Sequence, residues 1–252
     1  MRVAVAGGTG MVGARVVEAL KERGDEVVVL ARATEVDLVS GTGLAGALVG
    51  VQAIIDVTSL TARSSAECIA FFGAVATNLQ TAGAEAGVGR IVTLSIVGID
   101  GLGGSVFGHY DGKRAQEAAT LAGSVPTVIL RATQFHDFPR QLIEWTAKGS
   151  WMPCPKQPVQ TVELDAVVRH LVRLVDEPMP SRQARVDLAG PEQALMADLV
   201  RKTARAQKRR LHVLPVWLPG ETARKVRAGV LQASPDAIID GCTFDEWLSA
   251  VS

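Results

Sequence analysis

The stretch Gly7-Gly8-Thr9-Gly10-Met11-Val12-Gly13 decides which fold this chain adopts. It directly follows the apolar run Arg2–Ala6 and opens the Ala- and Val-rich stretch Met11–Arg23, so it joins a predicted strand to a predicted helix. Its glycines satisfy both GxxGxxG and GxGxxG, a spacing that lets the backbone approach a pyrophosphate at the positive end of the helix. The stretch therefore predicts a dinucleotide-binding loop, and the alternative is a glycine-rich turn that binds no ligand.

Short β-branched runs alternate with helical stretches along the first half of the chain, which is typical of a parallel sheet covered by helices on both faces. Most runs are apolar at consecutive positions, as expected for buried strands. The pattern predicts an α/β fold with a doubly wound, Rossmann-type parallel sheet. The predicted strands are Arg2–Ala6, Glu26–Ala31, Ala53–Val57, Arg90–Ser95 and Thr127–Arg131, and the predicted helices are Met11–Arg23, Leu44–Val49, Ser65–Ala86 and Gly112–Ala122.

The sequence changes character after Gly149. The segment Trp151–Pro158 holds three prolines in eight residues, a density that excludes a helix interior and a central strand. We expect one NAD(P)-binding domain over residues 1–252, with a dinucleotide-binding core at 1–150 and, at 151–252, mostly a small α/β lobe that caps the substrate. The predicted elements of this lobe are helices at Glu163–Asp176, Glu192–Ala206, Gly220–Val230 and Thr243–Val251 and strands at Ala184–Leu188 and Leu211–Leu214.

The charge balance argues against a polyanionic partner. The chain has 252 residues with 26 Lys/Arg and 26 Asp/Glu, so its formal net charge is +0. No whole-molecule field favours nucleic acid or an anionic membrane, and we expect neither as a partner. Residues 201–227 nevertheless hold nine Lys/Arg and one acid, Glu221, which we interpret as the solvated face of two helices. The expected partner is a small-molecule substrate, and the sequence leaves the oligomeric state open.

Cysteine usage and hydropathy indicate a cytoplasmic protein. Cys68, Cys154 and Cys242 are widely spaced and form no CxxC pattern, which fits a reducing compartment and indicates no metal site. The apolar run at the N-terminus is shorter than the roughly 7–15 residues of a secretory signal. The most apolar window, residues 68–84, falls short of the roughly 20 residues that cross a bilayer.

The residue after the second predicted strand favours NADP(H) over NAD(H). An NAD site usually places an acid about 20 residues after the glycines, where it accepts hydrogen bonds from the adenosine ribose. Arg32 stands there, 19 residues after Gly13, and a guanidinium donates to a 2′-phosphate but cannot accept from a hydroxyl. Glu35 and Asp37 lie close by in the sequence, and a solvated surface arginine is the alternative.

Several motifs resemble the NmrA-like, NAD(P)-binding branch of the atypical short-chain dehydrogenase/reductases. They are the loop Gly7–Gly13, the strand motif Thr93–Gly98 and the segment Leu130–Phe135. The stretches Leu214–Gly229 and Asp240–Leu248 are similar to C-terminal segments of bacterial members. The likeness therefore covers nearly the whole chain.

The resemblance implies roles for individual residues. Asp37 and Leu38 match the position that meets the adenine, the strand end at 56–58 passes beneath the ribose, and the residues 132–135 hold the nicotinamide carboxamide. The family's usual serine aligns with Ser95 or with Val97. The expected cofactor site consists of Gly7, Gly8, Thr9, Gly10, Met11, Val12, Gly13, Arg32, Asp37, Leu38, Asp56, Val57, Thr58, Ser95, Lys113, Ala132, Thr133, Gln134 and Phe135.

The expected catalytic pair is incomplete. Members of this superfamily usually transfer a proton through the tyrosine of a Tyr-x-x-x-Lys pair, whose lysine lowers the pKa of the tyrosine and holds the nicotinamide ribose. Here Lys113 is in place, but His109 stands four residues before it, and Tyr110 is the only tyrosine of the chain. His109 and Tyr110 are candidate proton donors, or they only line the pocket. His136 is a candidate substrate contact, with a structural hydrogen bond as the alternative.

These residues predict an NADP(H)-dependent oxidoreductase that reduces a small, apolar carbonyl, enone or quinone. Without the usual tyrosine, a conjugated substrate is favoured over a simple ketone, because its reduced anion is delocalised and takes a proton from water. The alternative is a redox sensor that binds NADP(H) and acts through a protein partner without turnover. The missing tyrosine favours the sensor, and the complete set of residues expected at the nicotinamide end of the site favours the enzyme.

Overall fold

The computed structural model describes residues 1–60, 64–102, 108–179, 181–217 and 219–251. Short 3-10 helices lie at Arg32–Thr34 and Ile99–Gly101. In chain order the strands are β1 (Arg2–Ala6), β2 (Glu26–Leu30), β3 (Ala53–Asp56), β4 (Arg90–Ile96), β5 (Thr127–Ala132), β6 (Trp151–Pro155), β7 (Pro158–Val159), β8 (Gln183–Ala189), β9 (Ala194–Leu195), β10 (His212–Val216) and β11 (Ile238–Ile239). The helices are α1 (Met11–Glu22), α2 (Leu44–Ala47), α3 (Ser65–Glu85), α4 (Gly108–Ala122), α5 (Phe138–Thr146), α6 (Leu164–Arg173), α7 (Met196–Ala206), α8 (Glu221–Arg227) and α9 (Phe244–Val251).

Seven of the strands form one parallel sheet in the order β11-β8-β5-β4-β3-β1-β2. β1 lies between β2 and β3, so that Val5 has Val29 on one side and Ile55 on the other. The strand order reverses beside β1, because the chain runs outward to β2 and then crosses back to β3. This reversal defines a doubly wound sheet, and the predicted Rossmann-type α/β fold is confirmed.

Two further sheets have two strands each. β6 pairs with β10 in parallel, and β7 pairs with β9 in the antiparallel direction. Pro153 and Pro155 lie in β6, and Pro158 begins β7. Proline removes a ladder donor and is tolerated in such small sheets, so the prediction that Trp151–Pro158 forms neither a helix interior nor a central strand is confirmed.

The chain divides into two compact units. The first comprises Met1–Ser95, Gly104–Arg131 and Val167–Val186, and the second comprises Ile96–Gly103, Ala132–Ala166 and Asp187–Ser252. The sequence-based division into a core at 1–150 and a capping lobe at 151–252 stays a prediction.

Each unit has its own hydrophobic core. In the first unit, β1 is buried from Val3 to Ala6, and apolar side chains of the neighbouring strands and of α2 and α3 pack together. In the second unit, the inward residues of β6 pack with α5, α7 and α9. The first core includes Ala4, Ala6, Leu30, Leu44, Leu48, Ile54, Val75, Leu79 and Ile91, and the second includes Ile143, Met152, Cys154, Met196, Leu199, Val200 and Phe244.

Two helices begin elsewhere than the sequence predicts. α4 begins at Gly108, one turn before Gly112, because Gly112 lies within the helix where it packs on α3 and does not break it. α7 begins at Met196 rather than at Glu192, because Ala194–Leu195 pairs with β7 instead. The helix α5 was not predicted, although Asp137 is its N-cap and a proline stands in its first turn.

Two kinds of feature are absent from the described ranges. No helix there has both the length and the apolar character that a membrane crossing requires. No group of three or more His, Cys, Asp or Glu side chains there could hold a metal ion.

Gly112→Ala should destabilise the protein, because an added Cβ would lie 2.5 Å from Phe72 Cδ2 and 2.8 Å from Cys68 Cβ. Overpacking of this kind costs about 1–3 kcal/mol, measured as a fall in the free energy of unfolding in urea. Gly73→Ala on α3 is the matched control, because nothing lies within 4 Å of its added Cβ, and it should stabilise the protein by about 0.5–1 kcal/mol. Equal stability of the two variants would contradict the close contact between α3 and α4.

Candidate functional site

The phosphate loop keeps two glycines where a side chain cannot fit. Gly7 has φ +80°, and a Cβ there would lie 3.0 Å from both Thr58 Cα and the Val57 carbonyl oxygen. A Cβ on Gly13 would lie 2.1 Å from the Gly7 carbonyl oxygen. The start of α1 therefore packs directly on the turn that leaves β1, and this turn packs on the residues that follow β3.

The first turn of α1 has the features of an anion site. Its N-cap is Gly10, which has no side chain to cap the first amides, and the turn carries no acid. Thr9, Gly10 and Met11 are exposed, whereas Gly8 is buried and Val12 is half-buried. Because the helix dipole places partial positive charge at this end, the exposed loop fits the phosphates of a dinucleotide.

Arg32 is exposed at the start of a 3-10 helix that follows β2. The carboxylate of Asp37 accepts hydrogen bonds from the backbone N–H groups of Val39, at 2.8 Å, and Ser40, at 3.4 Å. These bonds lower the pKa of Asp37, and the charge of Arg32 adds a smaller effect in the same direction. The side chain of Asp37 thus stabilises the turn formed by the residues that follow it. The neighbouring Leu38 is half-buried.

The ammonium of Lys113 is buried, and all of its donors are used. Its Nζ donates to the backbone carbonyl of Thr58 at 3.1 Å, to the carbonyl of Leu94 at 3.0 Å and to Gln116 Oε1 at 2.8 Å. The ring of Phe72 lies 4.8 Å from the same nitrogen. Because an ammonium has three N–H groups, a contact with a ribose hydroxyl requires Lys113 to give up one of these bonds.

A carboxylate joins the same network through Gln116. Gln116 Nε2 donates to Asp56 Oδ2 at 2.6 Å, and Asp56 Oδ1 accepts from the backbone N–H and the hydroxyl of Thr58, at 3.0 and 2.7 Å. Burial lowers the pKa of Lys113 to about 8, against the opposing effect of Asp56 and Glu117. The partners therefore offset only part of the cost of burying this charge.

The pKa values of the two candidate proton donors, His109 and Tyr110, do not suit proton donation at neutral pH. Burial, together with the charge of Lys113, lowers the pKa of His109 to about 4, although a hydrogen bond to the backbone of Leu60 acts in the opposite direction. Burial raises the pKa of Tyr110, whereas the superfamily's tyrosine needs a lowered one. At neutral pH His109 is therefore a neutral imidazole and Tyr110 a protonated phenol.

Hydroxyl groups on β4 are buried without a partner. The hydroxyl groups of Thr93 and Ser95 have no hydrogen-bond partner among the described residues. Buried polar groups are nearly always paired. Val97, the other candidate for the serine position, is buried, and its backbone N–H donates to the Ala132 carbonyl at 3.1 Å. The orphaned hydroxyl of Ser95 fits a residue that bonds to a ligand.

The nicotinamide loop predicted from the sequence also carries orphaned polar atoms. Both amide atoms of Gln134 and the hydroxyl of Thr133 are buried and unpaired within the described ranges. Ala132 is buried and Phe135 is half-buried. Sequence reasoning missed Gln160, whose Oε1 is also buried without a partner while its Nε2 donates to Gly190, and no local motif marks this residue.

His136 is held inside the second unit by both ring nitrogens. Nδ1 lies 2.8 Å from the hydroxyl of Thr161, and Nε2 lies 3.1 Å from the carbonyl oxygen of Cys242. The ring of Phe244 meets it edge-on at 5.5 Å, and burial lowers its pKa. Both ring nitrogens thus contact hydrogen-bonding groups of the chain itself, as expected if His136 has a structural role. A substrate contact through His136 stays a prediction.

Comparison with known proteins identifies a family model and solved structures that this chain resembles. Residues 3–122 match the model of the NAD dependent epimerase/dehydratase family. No curated protein matches the chain.

Several solved structures cover nearly the whole chain. MoeE5 in complex with UDP-glucuronic acid and NAD is 18% identical, with a TM-score of 0.76 over 99% of this chain and 97% of that one. A short-chain dehydrogenase/reductase superfamily protein from Agrobacterium tumefaciens with bound NAD is 18% identical, with a TM-score of 0.71 over 99% and 95%. The NADPH-dependent quinone oxidoreductase QOR2 from Escherichia coli is 16% identical, with a TM-score of 0.71 over 99% of both chains. The predicted resemblance to the atypical short-chain dehydrogenase/reductases is confirmed in the fold.

Lys113→Met should lower the free energy of unfolding, because three buried acceptors lose their donor. The loss should be about 1–3 kcal/mol, since removing the buried charge also recovers part of its burial cost. Urea unfolding measures this change, and Lys21→Met, at an exposed position of α1, is the control that should stay within about 0.5 kcal/mol of the parent. Unchanged stability together with lost dinucleotide binding would instead assign Lys113 to the ribose.

Proposed function

Because the chain has the fold of the short-chain dehydrogenase/reductase superfamily and its residues 3–122 match the NAD dependent epimerase/dehydratase family, we propose that it is an NADP(H)-dependent oxidoreductase. Its substrate is a small, apolar molecule with a conjugated carbonyl, such as an enone or a quinone. The bound dinucleotide supplies the hydride. The observation that carries the proposal is the phosphate loop, in which an exposed, acid-free helix start follows a turn that excludes side chains at Gly7 and Gly13.

The first unit holds the adenosine and phosphate end of the dinucleotide. Backbone amides at the start of α1 bind the pyrophosphate, whereas those of Gly7 and Gly10 donate to carbonyl groups within the chain. Residues 56–58 form the floor of the loop, as the closeness of Gly7 to Thr58 supports. The network of Asp56, Gln116 and Lys113 keeps this floor in place. Lys113 thereby acts as a positioning residue unless it exchanges a carbonyl partner for the ribose.

The preference for NADP(H) rests on Arg32. Its guanidinium is exposed after β2, where it can donate to a 2′-phosphate. Asp37, the nearby acid, accepts two backbone N–H groups through its Oδ1, which hold this side chain in its own turn. The similar structures were solved with NAD or with NADPH, so the preference for NADP(H) is argued from the residues of this chain alone.

The second unit supplies groups that match a carboxamide. The amide of Gln134 offers a donor and an acceptor, and the hydroxyl of Thr133 offers both. All are buried and without a partner among the described residues, and an unpaired buried polar group costs about 1–3 kcal/mol. Pairing with the nicotinamide carboxamide would remove this cost, and we propose residues 132–135 as its binding loop.

The proposed substrate class follows from the lack of a suitable proton donor at the site. With a pKa of about 4, about one His109 side chain in a thousand is protonated at pH 7. Burial raises the pKa of Tyr110, so its phenol is a weak acid. A substrate whose reduced anion is delocalised needs neither, because water can protonate it. The NADPH-dependent quinone oxidoreductase among the similar folds supports a quinone in particular.

The second candidate is a redox sensor that binds NADP(H) without turnover. It is favoured by the same two pKa shifts and by the three chain-internal bonds of Lys113. Turnover separates the two functions, because both bind the dinucleotide.

Arg32→Glu should weaken NADPH binding about 10- to 100-fold, because one charge-assisted contact contributes about 1.5–3 kcal/mol. NADH binding should change by no more than about twofold, since NADH lacks the 2′-phosphate. Fluorescence titration with each nucleotide measures the two affinities, and Lys21→Glu on α1 is the charge-matched control. Equal losses for NADPH and NADH would remove Arg32 from the 2′-phosphate site.

Steady-state oxidation of NADPH with a panel of quinones and enones tests the enzyme. We expect turnover with quinones, and His109→Phe and Tyr110→Phe should each stay within about tenfold of the parent, below the 10²–10⁴ of a general acid. A group with a pKa of about 4 has lost its proton well below pH 6, so the rate should not fall through His109 titration between about pH 6 and 8.

Two outcomes would change the assignment. NADPH binding without turnover on any member of the panel would favour the sensor. A loss of about 10²-fold or more in one of the two variants, with NADPH still bound, would identify that residue as the proton donor.

A further inference from the structure

The side chain of Asn78 joins α3 to a turn in the loop that follows β2. Residues 37–42 form this turn, and we call them the 37–42 turn. Asn78 Nδ2 donates to the backbone carbonyl of Leu38 at 3.0 Å and to that of Val39 at 2.8 Å. Both partners are acceptors, so the amide presents its nitrogen to the turn and uses both of its N–H groups there. The proposed function assigns no role to Asn78.

The 37–42 turn is closed by hydrogen bonds of its own. Asp37 Oδ1 accepts from the backbone N–H groups of Val39 and Ser40. The backbone N–H of Asp37 donates to the carbonyl of Thr42 at 3.0 Å. All of these partners belong to the turn, so their bonds set its shape but not its position in the first unit. The two bonds from Asn78 supply a polar tie to a helix of 21 residues.

Apolar packing reaches only the beginning of the 37–42 turn. Val36, just before the turn, is buried in the core of the first unit together with Val75 and Leu79 of α3. Leu38 packs against the same core, and the two residues that follow it are exposed. Asn78 lies beside Leu79 in the sequence, and its amide meets the chain where the loop leaves the core. It therefore continues the contact between the loop and α3 with polar groups.

The loop that contains the 37–42 turn follows a strand at the ligand-binding edge of the sheet. β1 lies between β2 and β3, where the strand order reverses, and doubly wound folds bind ligands outside the carboxyl ends of their strands at such a point. The loop after β2 begins with Arg32, the residue proposed to bind the 2′-phosphate. The charge of Arg32 acts on the carboxylate of Asp37, which is consistent with the turn and the guanidinium being neighbours.

We propose that Asn78 is a positioning residue for the adenosine end of the bound dinucleotide. It holds the 37–42 turn in the position in which the turn borders the adenosine, so this side of the site is formed before the ligand arrives. Without the tie, binding has to order the turn, and the cost of ordering lowers the affinity. The inference rests on the proposed function, and it concerns binding alone, because Asn78 takes no part in hydride transfer.

Asn78→Leu tests the proposal, because it removes both donors at a similar side-chain volume. Titration with adenosine 2′,5′-bisphosphate, which carries the adenosine end of NADPH without the nicotinamide, measures binding at this end alone. We expect the affinities for this probe and for NADPH each to fall by about five- to tenfold. The KM for NADPH should rise by the same factor with kcat unchanged, as expected when only binding is lost.

Two further variants and a second measurement complete the test. Asn78→Asp keeps the shape of the side chain but turns a carboxylate oxygen toward the two carbonyls, so it should weaken binding at least as much. Thr77→Leu places the same leucine at an exposed position of α3, and it should leave both affinities unchanged. In the unliganded protein, the amides of Val39 and Ser40 should exchange with solvent faster in both Asn78 variants than in the parent. Urea unfolding checks that every variant is folded.

Three results would overturn the proposal. They are unchanged affinity for the probe in a folded Asn78 variant, an equal loss of affinity in Thr77→Leu, and a fall in kcat with both affinities unchanged. Unchanged affinity together with lowered stability would assign Asn78 to the fold alone. The proposed function fails by a different result, in which the parent protein binds neither the probe nor NADPH, and the inference then fails with it.

Discussion

The buried ammonium of Lys113 is the interaction on which the candidate site of the first unit depends. It bonds to the carbonyl oxygen of Thr58, just after β3, and to that of Leu94 within β4. These two strands are neighbours in the sheet, so one cation holds the ends of both against α4. Because a buried charge without partners costs several kcal/mol, the chain must keep all three acceptors in place whenever the ammonium is protonated. The geometry of the phosphate-loop floor is thereby set by electrostatics as well as by packing.

This arrangement also explains the state of the neighbouring histidine. Burial is the main cause of the lowered pKa of His109, and like-charge repulsion from Lys113 adds to it, so that His109 is neutral at neutral pH. The site thus has the Lys113 cation beside a neutral imidazole, where the resemblance of the sequence implies a lysine paired with a tyrosine. An imidazole that gains its proton only as the pH falls to about 4 is a poor proton donor at neutral pH, in line with the proposed conjugated substrate.

The sequence predicted the elements whose signal is local. The strands β1 to β5 and the helices α1 and α3 were found to within two residues at each end, because buried β-branched runs and glycine-rich turns are visible in a short window. The glycine-rich turn between β1 and α1 was placed correctly for the same reason. The partners of Lys113 were not, since two are backbone carbonyls 19 and 55 residues away and leave no side-chain mark. For His136, one bonding partner lies 106 residues away, so the sequence alone could not choose between its two roles.

The placement of His136 has a consequence for shortened versions of the protein. Its ring is bonded to the carbonyl of Cys242 and packed against Phe244 and Trp247, whose own rings also contact each other. Trimming the chain before residue 242 would leave an imidazole nitrogen unsatisfied and strip two aromatic rings from one side of it. Residues 242–251 are therefore part of the packing of the second unit, and a shortened version of the protein should keep them.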